Sequence, residues 1–328
     1  AGNNIYRTAS TVQPVNAYLN GRQFFHRAAY SELVDDPYDM NYGYFADGTH
    51  IYARFPGGTA PGTNVFTIPR YTTCLTIEAN HWQIRGLEFC YYGRDLYCRA
   101  IFLNQADSNL IENCVFHHND IGIGIKRGSD YNVIQRCSFD ESPANEWAFS
   151  AVKASAYGYE AGGIYVYESF QNNVGNIIRY CQFTGQFDSS HLFNAEKPLY
   201  TDNMDYYGNT VTACGDDAIE LDGGGSNVRI YSNFFNGFFT GVSAAPAARG
   251  PTYIFRNVMT RWYSREGMEG YPIKLNHGES RGIDWIYLLH NTMYTETTNQ
   301  IGFLIKANSF LSRMIVRNNI IAGTEHAL

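Results

Sequence analysis

Asn109-Leu110-Ile111-Glu112-Asn113-Cys114-Val115-Phe116 returns as Asn132-Val133-Ile134-Gln135-Arg136-Cys137-Ser138-Phe139 and again as Asn176-Ile177-Ile178-Arg179-Tyr180-Cys181-Gln182-Phe183. The frame continues at Asn227–Phe235, Tyr253–Met259, Tyr287–Met293 and Ile315–Ile321. After a loop of variable length, each copy is followed by a second short apolar strand: Gly122–Ile125, Gly163–Val166, Ala218–Leu221, Gly241–Ala244, Pro272–Leu275 and Gly302–Ile305. A unit of roughly 20 to 28 residues cannot bury its own apolar face, but stacked units make a continuous core, Ile over Ile. The Leu-x-x-Leu-x-Leu pattern and helical return of leucine-rich repeats are absent. The expectation is an all-β solenoid of about nine coils from Thr73 to Ile321.

Residues 1–71 lack the repeat. Val15–Gly21 reads as a strand and turn, and Tyr42–Phe55 as a hairpin turning at Asp47-Gly48. This places a small β subdomain at 1–71, packed on the start of a solenoid at 72–328.

Hydrophobic residues form 45% of the chain and charged residues 17%, the composition of an ordered globular protein. Aromatics reach 16%, with 26 Tyr beside 31 Gly, which suits a β-rich, solvent-facing protein with many turns. A net charge of −7 and a pI near 5.7 argue against nucleic acid, whose binding needs clustered Lys and Arg. No apolar run is long enough to insert in a membrane. The chain starts at Ala1 rather than Met, as a processed secreted chain or a fragment would. Seven cysteines leave at least one unpaired within the chain. Cys90, Cys98 and Cys74 are left open as pairing candidates, and Cys114, Cys137 and Cys181 read as buried structural thiols.

The repeats resemble the right-handed parallel β-helix family of pectate lyases, polygalacturonases and related polysaccharide-active proteins. That family stacks polar residues, often Asn, at the turn between its second and third sheets. The matching column here is Cys114, Cys137, Cys181, Asn209, Asn233, Asn257, Asn291 and Asn319. The last coil, ending at Gly323, would leave strand edges open, so further coils, a cap or another chain are expected after it.

Chemistry concentrates in Gly215-Asp216-Asp217-Ala218-Ile219-Glu220-Leu221-Asp222-Gly223. Period-2 alternation buries Ile219 and Leu221 and turns Glu220 and Asp222 outward together. One outward column then reads Phe102, Gly124, Tyr165, Asn194, Glu220, Ser243, Lys274 and Leu304, and a second includes Tyr167, Glu196, Asp222 and Asn276. Neighbouring coils are about 4.8 Å apart. Tyr165, Tyr167, Glu196, Glu220, Asp222, Lys274 and Asn276 therefore share one patch, with His277 just past it and the insertion 141–162 as a wall.

Acids for acid/base work and Tyr as stacking platforms suit a sugar polymer. Gly-Asp-Asp resembles the adjoining acids of polygalacturonase-type hydrolases, which maps catalysis onto Asp216 and Asp217 beside Glu220 and Asp222. A lyase would use Lys274 as base, with Ca²⁺ held by acids; otherwise no cofactor or metal is expected. The bland reading makes the paired Asp residues turn caps and leaves His117 and His118 as surface residues. The family's Gly-His-Gly is missing, which keeps open a non-catalytic structural or adhesive module of a larger surface protein or filament. The favoured expectation is a secreted or cell-surface glycoside hydrolase acting on polysaccharide, ahead of a lyase.

Overall fold

The computed structural model describes residues 4–95, 97–140, 146–157, 159–160, 162–166, 171–193, 200–245, 247–275, 285–296, 301–305 and 313–323. From Thr73 onward the chain winds as a parallel β-solenoid. One face is a nine-stranded parallel sheet running from Gln83–Arg85 to Met314–Arg317, one strand per coil. The two other faces belong to a single 16-stranded sheet. They merge because Thr210–Glu220 and Phe234–Ala244 each run 11 residues around the corner without a break.

Stacking of like on like builds the core. Leu75, Ile101, Ile123, Ile164, Ser190, Ile219, Val242, Ile273 and Phe303 occupy one inward column, rung by rung. Phe89, Phe116, Phe139 and Phe183 form another, with ring centroids 5.0, 4.8 and 4.7 Å apart and nearly parallel planes. These rings keep the offsets that aromatic pairs prefer while removing their faces from water.

The corners carry buried polar ladders, and the ladder changes corner partway along. Before the nine-stranded sheet, Asn132 Oδ1 accepts from Asn109 Nδ2 at 3.0 Å, and Asn176 Oδ1 accepts from Asn132 Nδ2 at 3.1 Å. The later coils place Met204, Val228 and Thr252 there instead. After that sheet the order is reversed: Cys114, Cys137 and Cys181 come first, then Asn209, Asn233, Asn257, Asn291 and Asn319. Each of these Asn up to Asn291 donates Nδ2 to the next Asn Oδ1 at 2.9–3.2 Å. The residue before this second corner adopts left-handed backbone in nearly every coil, with φ of 53–57° at Asn113, Arg136, Tyr180, Ser232, Arg256, His290 and Asn318. A non-Gly residue pays strain there, of about 1–2 kcal/mol. The Asn side chains offset it by satisfying the backbone groups the turn exposes, such as Asn209 N and Tyr206 O.

All seven cysteines are free thiols. Cys114, Cys137 and Cys181 stack in the core, and although the bond with Cys114 lowers it, Cys181 and burial push the Cys137 pKa up to about 12. They are packing groups, not nucleophiles.

Ahead of the solenoid lie two three-stranded antiparallel sheets, one of them holding the hairpin Gly43–Ala46/His50–Arg54. Val15 N donates to Arg94 O at 2.9 Å and Tyr18 Oη to His118 O at 2.5 Å, which docks this region on the first coils. Its Phe25 packs with Trp147, Ala151, Val152, Tyr159 and Phe187 in a separate buried cluster. The N-terminal region thus buttresses the segment that follows residue 145. Among the described residues no helix is long and apolar enough to cross a membrane.

Candidate functional site

The strand Thr210–Glu220 departs from regular pairing at one point. Cys214 pairs with Phe238 and Asp217 with Thr240, so three steps on one strand oppose two on the next. The extra residue is a β-bulge, and it breaks the alternation that would send Asp216 and Asp217 to opposite faces. Carboxylate oxygens of Asp188, Asp216 and Asp217 consequently all come within 4.8 Å of one another, and all three residues are buried. Arg265 clamps the bulge from two coils on, donating to Gly215 O at 2.7 Å and to Trp147 O at 2.6 Å.

Two lysines face three aspartates. Lys153, on the helix Phe149–Ala154, pairs with Asp216 at 2.7 Å and with Glu160 at 2.6 Å. Lys274 donates to both oxygens of Asp217 at 3.1 and 3.2 Å. Asp188 accepts from Asp217 N at 2.9 Å and stands between the two pairs. Burial, then Asp216, pushes the Asp188 pKa well above the ordinary carboxyl range. Burial raises Asp217 to about 7 even though Lys274 opposes the rise. Burial, Asp222 and Asp217 together raise Glu220 well above its usual value. Burial alone would lower both lysines, but the acids outweigh it and keep them above the ordinary lysine range, hence charged.

Glu220 sits at the strand's end with 23% of its side chain still exposed. It and Asp188 line a cavity of about 310 Å³ with Tyr97, Tyr159, Tyr165, Glu160, Ser155 and Ala156. Tyr165 meets His191 edge-on at 4.5 Å and lies nearly parallel to Tyr97 at 6.2 Å. His191 is buried and its Nδ1 is 3.9 Å from Glu220 Oε2; burial lowers its pKa, so the ring is neutral.

Asp216, Asp217, Glu220, Lys274 and Tyr165 are therefore brought together as the sequence implied. Asp222 is near them, but its Oδ1 is taken by Ser243 Oγ at 2.8 Å and Ala245 N at 2.7 Å, the work of a turn cap. Tyr167, Glu196, Asn276 and His277, and the column member Asn194, lie outside the described residues. The pairing puts His191 between Tyr165 and Glu220, the place that the sequence reading gave to Asn194. His117 bonds Glu88 at 2.7 Å on a different face.

Sequence reasoning missed Asp188, His191, Lys153, Glu160 and Tyr97. The first two had a signal: Asp188 precedes His191 by the same three residues that separate Asp217 from Glu220. Ser190, in the inward column where its neighbours are Ile164 and Ile219, hid it by interrupting the aliphatic frame.

Of metals, the three aspartates are the only candidate ligand cluster among the described residues. To hold the Ca²⁺ of a lyase, which takes six to eight oxygens from carboxylates and water, they would have to give up their present partners. Two of the three carboxylates are already matched by ammonium groups at hydrogen-bonding distance.

In structure, the chain is similar to a double mutant of the tailspike protein of E. coli bacteriophage HK620, with a TM-score of 0.51, 11% identity, and 76% of this chain and 43% of that one covered. XylC in complex with xylose follows at a TM-score of 0.44 and 14% identity, covering 93% of this chain and 57% of that one. A mutant of the same tailspike with a bound pentasaccharide gives 0.47 and 11%, covering 81% and 49%. The chain thus spans about half the length of the solved structures it matches. No curated protein matches it in sequence. The family described as right handed beta helix region matches residues 76–257, more than half of the sequence, and the chain belongs to that family.

Proposed function

We propose that this protein is a glycoside hydrolase of an extracellular or cell-surface polysaccharide, with Glu220 as general acid. The observation that carries the reading is Glu220 itself, a carboxyl group with raised pKa on the wall of a tyrosine-lined cavity that it shares with Asp188. Raised carboxyls beside a cavity are the mark of acid catalysis, because the group keeps its proton near neutral pH until a leaving oxygen takes it. Asp188 takes the base's part. Its neighbours Asp216 and Asp217 are matched by Lys153 and Lys274, so the trio carries one proton or one negative charge beyond what the lysines balance. Loss of that proton leaves a carboxylate facing the positive charge that develops on the sugar ring. In the overall step Glu220 gives its proton to the glycosidic oxygen as the C–O bond breaks, and water adds its oxygen to the anomeric carbon while its proton passes to the Asp188 carboxylate, which leaves the hemiacetal.

Lys274 supports hydrolysis over elimination. A lyase would need it as a free amine, whereas its bonds to Asp217 favour the ammonium form. The non-catalytic reading has one observation in its favour, the same lysine pairs, which would serve a purely structural polar core equally well.

Incubation with a panel of polysaccharides tests all three. New reducing ends, abolished in Glu220→Gln, are expected. Unsaturated ends absorbing in the ultraviolet would make the protein a lyase, and silence across a broad panel would favour a structural module.

A further inference from the structure

Asp120 is a buried acid outside the aspartate cluster, just ahead of the strand Ile121–Lys126. Its N donates to Tyr92 O at 3.0 Å, and Ile121 N donates to Cys98 O at 2.9 Å. Both ends of the excursion that carries Tyr97 are thus pinned to this pair of residues. The carboxyl group faces the same excursion. Burial raises its pKa well above the ordinary value, opposed by hydrogen bonds from Cys98 N, the Asn16 side chain and Tyr97 N. Asn16, itself buried in the N-terminal region, gives N and Nδ2 to Gly93 O at 3.2 and 3.3 Å and takes Gln23 Nε2 on Oδ1 at 2.6 Å. Gly93 permits this approach, since a Cβ there would stand 3.0 Å from Asn16 Nδ2.

Tyr97 holds φ at 54°, a left-handed conformation that a bulky residue keeps only where its surroundings impose it. Its ring is 38% exposed on the cavity wall and nearly parallel to that of Tyr165. Such rings offer apolar faces to the C–H side of a sugar and keep a polar tip for water. We infer that Asp120, bridged to the N-terminal region through Asn16, is a positioning residue that holds Tyr97 at the cavity wall as a stacking surface for a sugar ring. This rests on the reading of the cavity as a saccharide site, and it gives the N-terminal region a part in shaping that site.

The test is steady-state kinetics of the full chain on the polysaccharide that the panel identifies. Tyr97→Ala is expected to raise KM about tenfold with kcat within about twofold, because a stacking contact made equally in the ground and transition states contributes to binding alone. Asp120→Ala should raise KM to about the same extent, and Asp120→Asn, which keeps an oxygen facing the two N–H groups, should restore most of it. In a Tyr97→Ala background, Asp120→Ala should add less than about twofold, since a residue that acts through Tyr97 has nothing left to hold. KM effects that multiply, or a fall in kcat with KM unchanged, would overturn the inference and make Asp120 ordinary scaffold. Should Asp120→Ala not fold, Asn16→Ser carries the same cycle from the other end of the bridge. Hydrogen exchange reads the positioning without substrate: the Tyr97 and Cys98 amides should exchange at least about tenfold faster in the Asp120 or Asn16 variant than in the wild type. Unchanged exchange there would sink the inference and leave the saccharide reading standing, whereas a wild type that turns over no polysaccharide would overturn both.

Discussion

The Asn ladder and the acid cluster are both buried polar networks on the same stretch of chain, since Asn209 immediately precedes the strand that carries Asp216, Asp217 and Glu220. In the ladder every group finds a complement. Asn233 gives Nδ2 to Asn257 Oδ1 and Tyr206 O at 3.0 and 3.1 Å, and takes Asn209 N and Nδ2 at 2.9 and 3.2 Å. The cluster instead crowds like charges, and its two lysines leave one aspartate over. Repetition explains the difference. A ladder can recur in every coil because an amide is donor and acceptor at once, whereas a carboxylate stacked on a carboxylate repels. Buried polarity that repeats serves the fold, and buried polarity that occurs once and is left unbalanced points to chemistry.

The largest expected effect breaks the cluster's side of that contrast. Glu220→Gln keeps the shape and removes the proton donor, so turnover on the substrate found by the panel should fall about a thousandfold, about 4 kcal/mol in the barrier. Its melting temperature should stay level or rise, because the variant no longer has to take up a proton on folding at that position. A loss of stability with full activity would mean that the two networks do not differ in kind.

Asn233→Ala attacks the ladder instead. It leaves donors and acceptors on two neighbouring coils unpaired inside the core, at a cost of about 3 kcal/mol in chemical denaturation. Activity per folded molecule should hardly change. An equal fall in both would show that corner and cluster act as one unit.

Titration separates the two without reference to substrate. Asp188, Asp217 and Glu220 hold protons more tightly folded than unfolded. Between the ordinary aspartate value of 3.8 and the value of about 7 for Asp217, the native state therefore keeps protons that the unfolded chain has released. The cluster's stability is thus full at the acid end of that window and is lost as pH rises through it. The difference in stability between wild type and Glu220→Gln should shift in favour of the variant as pH rises above 4.5, the ordinary glutamate value. Asn233→Ala, with no titrating group, should lower the curve without altering its shape, and a change in slope would contradict the assignment.

What the sequence made legible follows the same division. Stacked aliphatics such as Ile123, Ile164 and Ile219 set the register, and the register alone was enough to bring Tyr165, Glu220 and Lys274 onto one column. Asn209 through Asn319 were likewise readable as a ladder because they recur. The earlier ladder through Asn109, Asn132 and Asn176 was in plain view as a repeat, but the hydrogen bonds that make it a ladder depend on which corner turns inward. Asp188 and His191 were hidden by Ser190, a polar residue in an aliphatic column. Lys153 and Glu160 belong to a segment without repeats, placed by Phe25, Trp147 and Tyr159, and no periodicity reports such packing. Asp222 looked equivalent to Glu220 by alternation. Its role is decided by Ala245 N on the following coil, a contact that alternation does not encode.

The smallest expected effect concerns how that unrepeated segment reaches the cluster. Glu266 accepts from Phe149 N and, at 3.1 Å, from Ser150 N, so it caps the helix that carries Lys153 from a loop four coils further on. A charged acceptor on the free N–H groups of a helix's first turn is worth about 1 kcal/mol. Glu266→Gln keeps one acceptor and removes the charge, so the loss in stability should be about 0.5 kcal/mol. The cap lies outside the cavity but governs the helix, and Lys153 governs how Asp216 is balanced. Turnover should therefore fall a few-fold while thermal stability barely moves, with Glu266→Asp restoring part of it. If turnover and stability fell in proportion, the helix would be ordinary scaffold, and the balance of charge around Asp188 would have to be set from within the solenoid alone.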